Sequence, residues 1–183
     1  MLAPRNPYAA TKAAGDHLVM ACGRSYGLDV SLVRSVNVYG PGQFPEKFIP
    51  LSVASLMNDQ PIPLYGDGAQ VRDWLYVDDY VRAVKTIADQ GHIGEIYHVS
   101  ARDERPNREV AESICGLMSV PVKDGITFVD DRPGHDRRYG LNSSKLRGLG
   151  WLPEVDFGTG LRRTIEWFRE HPQKPVSARD RKL

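Results

Sequence analysis

The stretch Val71–Val99, which reads VRDWLYVDDYVRAVKTIADQGHIGEIYHV, predicts a strand, a helix and a second strand in succession. The strands are predicted over Val71–Val77 and Glu95–Val99, which are short runs of the kind found in buried sheets. Between them, Asp78 suits the N-cap of a helix over Asp79–Gln90, because its carboxylate accepts a free amide hydrogen of the first turn. This order of elements favours an α/β fold with a largely parallel sheet.

The alternation continues on both sides of this stretch. Further helices are predicted over Pro7–Tyr26, Lys47–Asn58, Arg108–Met118, Ser143–Leu149 and Gly158–Glu170. Further strands are predicted over Val30–Val33, Ile62–Tyr65 and Ile126–Val129, with a loop over Asn37–Pro45. Pro7 suits the first position of its helix, because that position needs no amide hydrogen. The last stretch, Pro172–Leu183, is rich in Lys, Arg and Pro and is predicted to be a frayed tail.

The amino-acid composition excludes several classes of protein and of binding partner. With 183 residues, 41% hydrophobic and 26% charged, the chain is globular and has the length of one ordinary domain, or of one domain and a piece of another. Its net charge of +1 offers no electrostatic reason to propose DNA, RNA or an anionic membrane as a partner. Two cysteines are too few for a disulfide scaffold, and the histidines lack metal-ligand spacing. The low cysteine content fits a reducing cytoplasm, so we expect a cytoplasmic protein, and no apolar run reaches the ~20 residues of a membrane helix.

Tyr8 and Lys12 stand four residues apart in the first predicted helix and therefore lie on the same face of it. A free phenol has a pKa of about 10, but an ammonium a few ångströms away favours the phenolate and lowers that pKa. Such a tyrosine can accept a proton from a sugar hydroxyl while a hydride leaves the same carbon. The spacing alone is a weak signal, and a chance pair on a helix surface is the other interpretation.

Five segments give this pair a context. They are PYAATKAA (Pro7–Ala14), NVYGP (Asn37–Pro41) running into FPEKFIP (Phe44–Pro50), PLYGDG (Pro63–Gly68), RDWLYVDD (Arg72–Asp79) and DRPGHDRRY (Asp131–Tyr139). In this order they resemble the extended short-chain dehydrogenases/reductases of the NAD-dependent epimerase/dehydratase family, and more narrowly its dTDP-glucose 4,6-dehydratases. The likeness runs from about Leu2 to Pro172, and the RDW and RPGHDRR segments are its specific part.

The resemblance implies a partial Rossmann-type parallel sheet together with a smaller α/β substrate-binding domain. Residues 1–60 would be a remnant of the NAD-binding domain, residues 61–172 mainly the nucleotide-sugar part with some segments returning to the Rossmann sheet, and residues 173–183 the tail. The sequence contains no GxxGxxG turn. The Asp-Glu pair that eliminates water in these dehydratases would lie upstream of Tyr8. We therefore expect a truncated chain that is inactive when isolated.

The activity that the resemblance implies is a lyase reaction of deoxysugar biosynthesis, the NAD-dependent conversion of dTDP-glucose to dTDP-4-keto-6-deoxyglucose. Two alternatives stay open. One is a nucleotide-sugar 4-epimerase that uses the same Tyr8 and Lys12, and the other is a non-catalytic remnant that binds a nucleotide sugar. The implied cofactor is NAD and the implied ligand is a nucleotide-diphosphate sugar. The implied protein partner is a second copy in a homodimer, or a complementing N-terminal half.

The resemblance also assigns the central site residues. Tyr8 is the catalytic base, and Lys12 orients the cofactor ribose and lowers the tyrosine pKa. Asn37 would contact the sugar and phosphate region of the substrate, or else shape the turn that follows it. Arg72 would grip the diphosphate, to which a guanidinium offers two parallel donors. The other interpretation of Arg72 is an ion pair with a carboxylate such as Asp67.

Further assignments concern the two ends of the nucleotide. Arg132 and His135 resemble residues on the diphosphate side, although a loop histidine without a ligand is the alternative for His135. Pro63 and Tyr65 resemble the wall against which the nucleotide base packs, and ordinary core filling is their alternative.

Three residues at predicted helix starts complete the set. Asn107 resembles a substrate contact, but capping of the following helix explains it as well. Glu46 and Lys47 resemble substrate contacts, and the alternative is a solvated helix start.

Overall fold

The computed structural model of the chain describes residues 3–4, 6–131 and 134–172. Its helices are α1 (Pro7–Tyr26), α2 (Phe48–Met57), α3 (Val77–Gln90), α4 (Asn107–Met118), α5 (Val122–Gly125), α6 (Ser144–Arg147) and α7 (Phe157–Glu170). Its strands are β1 (Leu32–Ser35), β2 (Asn37–Tyr39), β3 (Ile62–Tyr65), β4 (Val71–Tyr76), β5 (Ile96–Val99), β6 (Glu104–Pro106) and β7 (Ile126–Val129). The α/β class is confirmed. The expected tail over 173–183 lies outside the described residues, and no helix within them has the length and apolar character to cross a membrane.

The strands of the described residues form three small sheets. β4 is central to one of them and pairs in parallel with β2 and antiparallel with β6. β1 pairs in parallel with β5, and β3 pairs in parallel with β7. The prediction of a largely parallel arrangement is therefore confirmed. The sequence pattern misses β6, because so short a strand shows no period of its own.

β4 separates two apolar cores. On one side Trp74 packs with side chains of α2, α4 and α7, and on the other Leu75 packs with α3, β5 and Trp151. Successive side chains of a strand point to opposite faces, so that one strand serves both cores. From Arg72 onward every residue of β4 is buried, which places Arg72 and Asp73 in the interior.

Two buried carboxylates tie β4 and α3 to distant loops. Asp73 accepts a hydrogen bond from the Ser100 hydroxyl at 2.5 Å. Asp79 accepts the backbone amides of Glu154 and Val155, both at 3.0 Å. A carboxylate is stable in an interior only where such donors replace water. These two aspartates therefore hold the loops that close the second core.

Several predicted element boundaries differ from the structure, and three of the differences have a clear structural reason. β1 begins later than the predicted strand Val30–Val33, because its pairing with β5 sets its position. The loop predicted from Asn37 onward begins as β2, because these residues pair with β4. Asp78 does not cap α3, since the helix begins at Val77 and Tyr76 occupies the cap position. Asp78 lies instead in the first turn, where its negative charge suits the helix dipole.

α1 begins and ends on local signals. The Asn6 side chain accepts a first-turn amide, Pro7 occupies the first helical position, and Gly27 ends the helix with a φ of 66°. No residue of α1 is buried. An ion pair of 2.7 Å between Asp16 and Arg34 joins the helix to β1. Its ends are therefore well defined although it is scarcely packed.

Candidate functional site

β4 places Arg72 beside the segment 134–139. The Val71 amide donates to the Arg137 carbonyl at 2.8 Å, so the segment lies along the start of β4. The Arg72 side chain is buried, and its Nη2 donates to the Asp136 carbonyl at 2.7 Å. Its other bonds also go to backbone carbonyls. Among the residues that the structure describes, this guanidinium has no carboxylate partner.

The ion pair between Arg72 and Asp67 considered from the sequence is wrong. Asp67 accepts hydrogen bonds from Arg137 at 2.9 and 3.1 Å, and the Arg137 guanidinium lowers the pKa of the Asp67 carboxyl. Glu104, on β6, accepts two hydrogen bonds from Arg138, both at 2.8 Å. These two exposed pairs fasten the outer side of the segment, while Arg72 fastens its inner side.

Tyr139 connects Arg72 with Asn37. The guanidinium carbon of Arg72 lies 4.5 Å from the centre of the Tyr139 ring, within cation–π range. The Tyr139 hydroxyl donates to Asn37 Oδ1 at 2.5 Å. Asn37 is the first residue of β2 and pairs with Trp74, so the interpretation of Asn37 as a turn residue is wrong. The amide, the phenol and the guanidinium form one cluster.

A second group of side chains surrounds His135. Its ring stands edge-on to Tyr65, with an interplanar angle of 85° and centroids 6.2 Å apart. Nδ1 of His135 lies 2.7 Å from Asp131 Oδ1, and Asp131 Oδ2 accepts from Gln70 Nε2 at 2.8 Å. Tyr65 is 42% exposed, so core filling is the wrong interpretation for it. Pro63, on the same strand, is half-buried.

Asn107 is the first residue of α4, and its interpretation as a helix cap is wrong. Pro106 occupies the cap position, and no side chain caps this helix by a hydrogen bond. The Asn107 amide donates to the Gln70 carbonyl at 2.9 Å. Its Oδ1 is buried and has no hydrogen-bond partner within residues 3–4, 6–131 and 134–172. A buried acceptor without a donor is costly, so a donor from a ligand would stabilise it.

Glu46 and Lys47 precede α2. Their ion pair is 3.0 Å long, and both side chains are about half exposed. Lys47 occupies the cap position without a side-chain cap bond. A solvated helix start explains this geometry, and a contact with substrate stays a prediction.

Comparison with known proteins identifies the family of the chain. A protein-family model described as "GDP-mannose 4,6 dehydratase" matches residues 1–164. The chain belongs to the GDP-mannose 4,6 dehydratase family. A dTDP-glucose 4,6-dehydratase of Neisseria gonorrhoeae is 45% identical over 187 residues, which cover 96% of this chain and 54% of that protein. The chain spans about half the length of the curated relatives it matches.

Solved structures agree with this family. DesIV, a dTDP-glucose 4,6-dehydratase of Streptomyces venezuelae crystallised with NAD and TYD bound, superposes with a TM-score of 0.89 at 44% identity. The match covers 93% of this chain and 53% of DesIV. A UDP-glucuronic acid 4-epimerase of Bacillus cereus reaches a TM-score of 0.88 over 93% of this chain and 55% of its own, but at 23% identity it shows only the shared fold. The resemblance inferred from the motifs is therefore confirmed.

In this family member, the remaining site residues lie apart from the cluster or outside the described residues. Tyr8 and Lys12 are exposed on α1, with Tyr8 74% accessible. Neither the Tyr8 hydroxyl nor the Lys12 ammonium makes a hydrogen bond or ion pair with the described part of the chain. Their catalytic roles stay predictions. Arg132 lies outside the described residues, and its role also stays a prediction.

Sequence reasoning missed Gln70, Asp131 and Tyr139 as members of the site. Asp131 and Tyr139 are the two ends of the DRPGHDRRY segment, and Gln70 lies just before the RDW segment. Motif membership was therefore the available signal. The contacts themselves depend on how the segment lies against β4 and β3.

Proposed function

We propose that this chain is part of an NAD-dependent nucleotide-sugar 4,6-dehydratase that converts dTDP-glucose to dTDP-4-keto-6-deoxyglucose. The buried guanidinium of Arg72, which has no carboxylate partner among the described residues, carries the proposal. A buried cation without a counter-ion is unfavourable. A diphosphate supplies that counter-ion and accepts charge-assisted hydrogen bonds. The 45% identity with a dTDP-glucose 4,6-dehydratase favours this reaction over an epimerisation.

The groups around Arg72 fit the other parts of a nucleotide sugar. Asn37 and the amide oxygen of Asn107, which has no partner among the described residues, would contact the sugar and phosphate region, with Glu46 and Lys47 as further contacts. His135 and Arg132 would contact the diphosphate. The exposed ring of Tyr65, with Pro63, would pack against the base. In this proposal, residues 61–172 form mainly the substrate part, and residues 1–60 form the cofactor side.

NAD is the proposed cofactor, and the side chains of α1 fit it. The exposed Lys12 ammonium can donate to ribose hydroxyls, and the exposed Tyr8 hydroxyl can meet a sugar hydroxyl. NAD, when bound, supplies the hydride acceptor. Tyr8 would hold the proton of the sugar hydroxyl, with Lys12 favouring its phenolate form. A complementing N-terminal half would supply the rest of the cofactor site.

Ligand binding tests the substrate half of this proposal. Calorimetric titration of the 183-residue chain with dTDP should show saturable binding, which GDP should not match. Arg72→Met keeps much of the side-chain volume but removes the charge, and it should weaken dTDP binding. Absence of dTDP binding, or equal binding by Arg72→Met, would contradict the proposed grip on the diphosphate.

A fusion protein tests the reaction. The N-terminal part of DesIV, placed ahead of residue 1 of this chain, would serve as the complementing N-terminal half of this proposal. With NAD and dTDP-glucose, the fusion should form a 4-keto product that absorbs in alkali, and the isolated chain should form none. A C4 epimer as the product would instead support an epimerase.

A further inference from the structure

A buried glutamine stands behind His135. Gln70 is only 2% exposed, and its Nε2 donates to Asp131 Oδ2 at 2.8 Å. The other oxygen of the same carboxylate lies 2.7 Å from His135 Nδ1. The three side chains form a relay, by which we mean a chain of two hydrogen bonds that runs from the interior of the protein to the imidazole. Neither Gln70 nor Asp131 has a role in the proposed reaction so far.

Strand pairing builds this relay. β3 pairs with β7, and the Gly66 amide donates to the Val129 carbonyl at 2.8 Å, which brings Asp131 beside the turn after β3. Gly66 has a φ of 57° and no side chain. A Cβ at this position would lie 3.2 Å from Asp131 Oδ2 and 3.4 Å from Gln70 Nε2. The glycine therefore leaves the room in which the carboxylate and the amide meet.

The chemistry of the three groups defines the orientation of the ring. A carboxylate oxygen only accepts hydrogen bonds, so Gln70 must present Nε2 to it and not Oε1. For the same reason, His135 Nδ1 carries the hydrogen that faces Asp131. The His135 side chain is 7% exposed and stands edge-on to Tyr65, which limits its rotation. Nε2 is then the ring atom left for a ligand.

We propose that Gln70 is a positioning residue for His135, which it holds through Asp131 so that Nε2 of the imidazole faces the diphosphate of a nucleotide sugar. The identity of the ligand rests on the proposed function, whereas the orientation of the ring does not. The competing interpretation is that Gln70 only fills the space below the turn. In that case the state of the imidazole would not depend on the Gln70 amide.

The ring nitrogens of His135 test the orientation without any ligand. In the ¹⁵N-labelled chain, the neutral ring should carry its hydrogen on Nδ1, with the signals assigned by their loss in His135→Ala. Gln70→Met keeps the length of the side chain but removes the donor. Gln70→Glu keeps the shape and places a second carboxylate against Asp131. Both changes should move the ring toward a mixture of tautomers.

Gln43→Met is the matched control, because the Gln43 amide donates to the backbone carbonyl of Val38 instead. It should leave the His135 signals unchanged. An unchanged tautomer in Gln70→Met, or in Gln70→Glu if Gln70→Met does not fold, would overturn the proposal. The use of two variants keeps the test valid if one of them fails to fold.

Affinity for dTDP tests the consequence for the ligand. Loss of one oriented hydrogen bond should raise the dissociation constant of dTDP about three- to tenfold in Gln70→Met. In a His135→Ala background the same change should have no further effect, because Gln70 acts through His135. Additive effects would overturn the positioning role. Failure of the wild-type chain to bind dTDP would overturn the choice of ligand together with the proposed function, while the ring signals would still decide the orientation.

Discussion

α1 and α7 are both capped helices, but only α7 is packed. Asn6 caps α1 and Asp156 caps α7, each by accepting a first-turn amide. α7 places Leu161 and Phe168 in the main core, whereas no residue of α1 is buried. Local signals therefore define the ends of both helices, and the packing surface decides how much each helix contributes to stability.

The two halves of the proposed function therefore differ in how well the structure packs the elements that carry them. The proposed contacts of Arg72 and His135 with the diphosphate depend on β4, which is buried between the two cores, and on the segment 134–139, which is hydrogen-bonded to the start of β4. The proposed chemistry of Tyr8 stands on a helix that has few contacts in the described residues. Binding should therefore be a property of the chain itself, while turnover should need further contacts to α1.

The largest effect is expected for Tyr8→Phe in the fusion protein. The change removes only the hydroxyl, so turnover should fall by about 10²–10⁴-fold, the usual contribution of general acid–base catalysis. Steady-state kinetics with dTDP-glucose would measure it, and the KM should move little. Tyr26→Phe, which alters the other exposed tyrosine of α1, is the control and should leave turnover unchanged. If Tyr8→Phe kept turnover within a factor of about two of wild type, Tyr8 would not be the catalytic base.

Truncation of one leucine in each helix should separate their contributions to stability. Leu161 in α7 is 1% exposed. Leu161→Ala should lower the free energy of unfolding by about 2–5 kcal/mol, because the substitution leaves a cavity. Leu18 in α1 is 65% exposed. Leu18→Ala should lower the free energy of unfolding by no more than about 0.5 kcal/mol. Urea unfolding followed by circular dichroism measures both. Equal costs would mean that α1 is packed in solution.

Arg72→Ala should weaken dTDP binding by about ten- to a hundredfold, through loss of a charge-assisted contact. It should also loosen the segment 134–139, because the Arg72 bond to the Asp136 carbonyl is lost. Titration calorimetry and amide exchange measure the two effects. Arg137→Ala in the same segment removes only an exposed ion pair and should change affinity by no more than about threefold. An equal loss in both variants would contradict a special role for Arg72.

The smallest effect concerns the caps and depends on pH. The hydrogen bond from Thr159 lowers the pKa of the Asp156 carboxyl, so its contribution to stability is present above the unfolded-state pKa and is lost as pH falls through the folded-state pKa. Asp156→Ala should therefore be less stable than wild type at neutral pH, and the difference should shrink in acid. Urea unfolding across a pH series measures it. Asn6→Ala should show no such trend, since an amide does not titrate, and a constant difference for Asp156→Ala would refute this role.

Prediction from the sequence succeeded where the signal is local or where a motif is specific. The bounds of α1 and the positions of β3 and β7 agree with their patterns, and the RDW and DRPGHDRRY segments led to the family that the comparisons confirm. It failed at β2 and β6, which are strands only because β4 lies between them. The alternative ion pair of Arg72 with Asp67 was also wrong, because nothing near Arg72 in the sequence distinguishes Asp67 from the carbonyl of Asp136.

Local sequence was sufficient for the ends of α1, since Asn6, Pro7 and Gly27 satisfy or terminate backbone hydrogen bonds within one turn. The cluster that the proposed function needs depended on the tertiary structure. Asn37 and Tyr139 are 102 residues apart in the chain and meet because β2 and the segment 134–139 both lie against β4. Side-chain contacts of that separation form only when strands pair and cores close, and no pattern within one segment records which strands will pair.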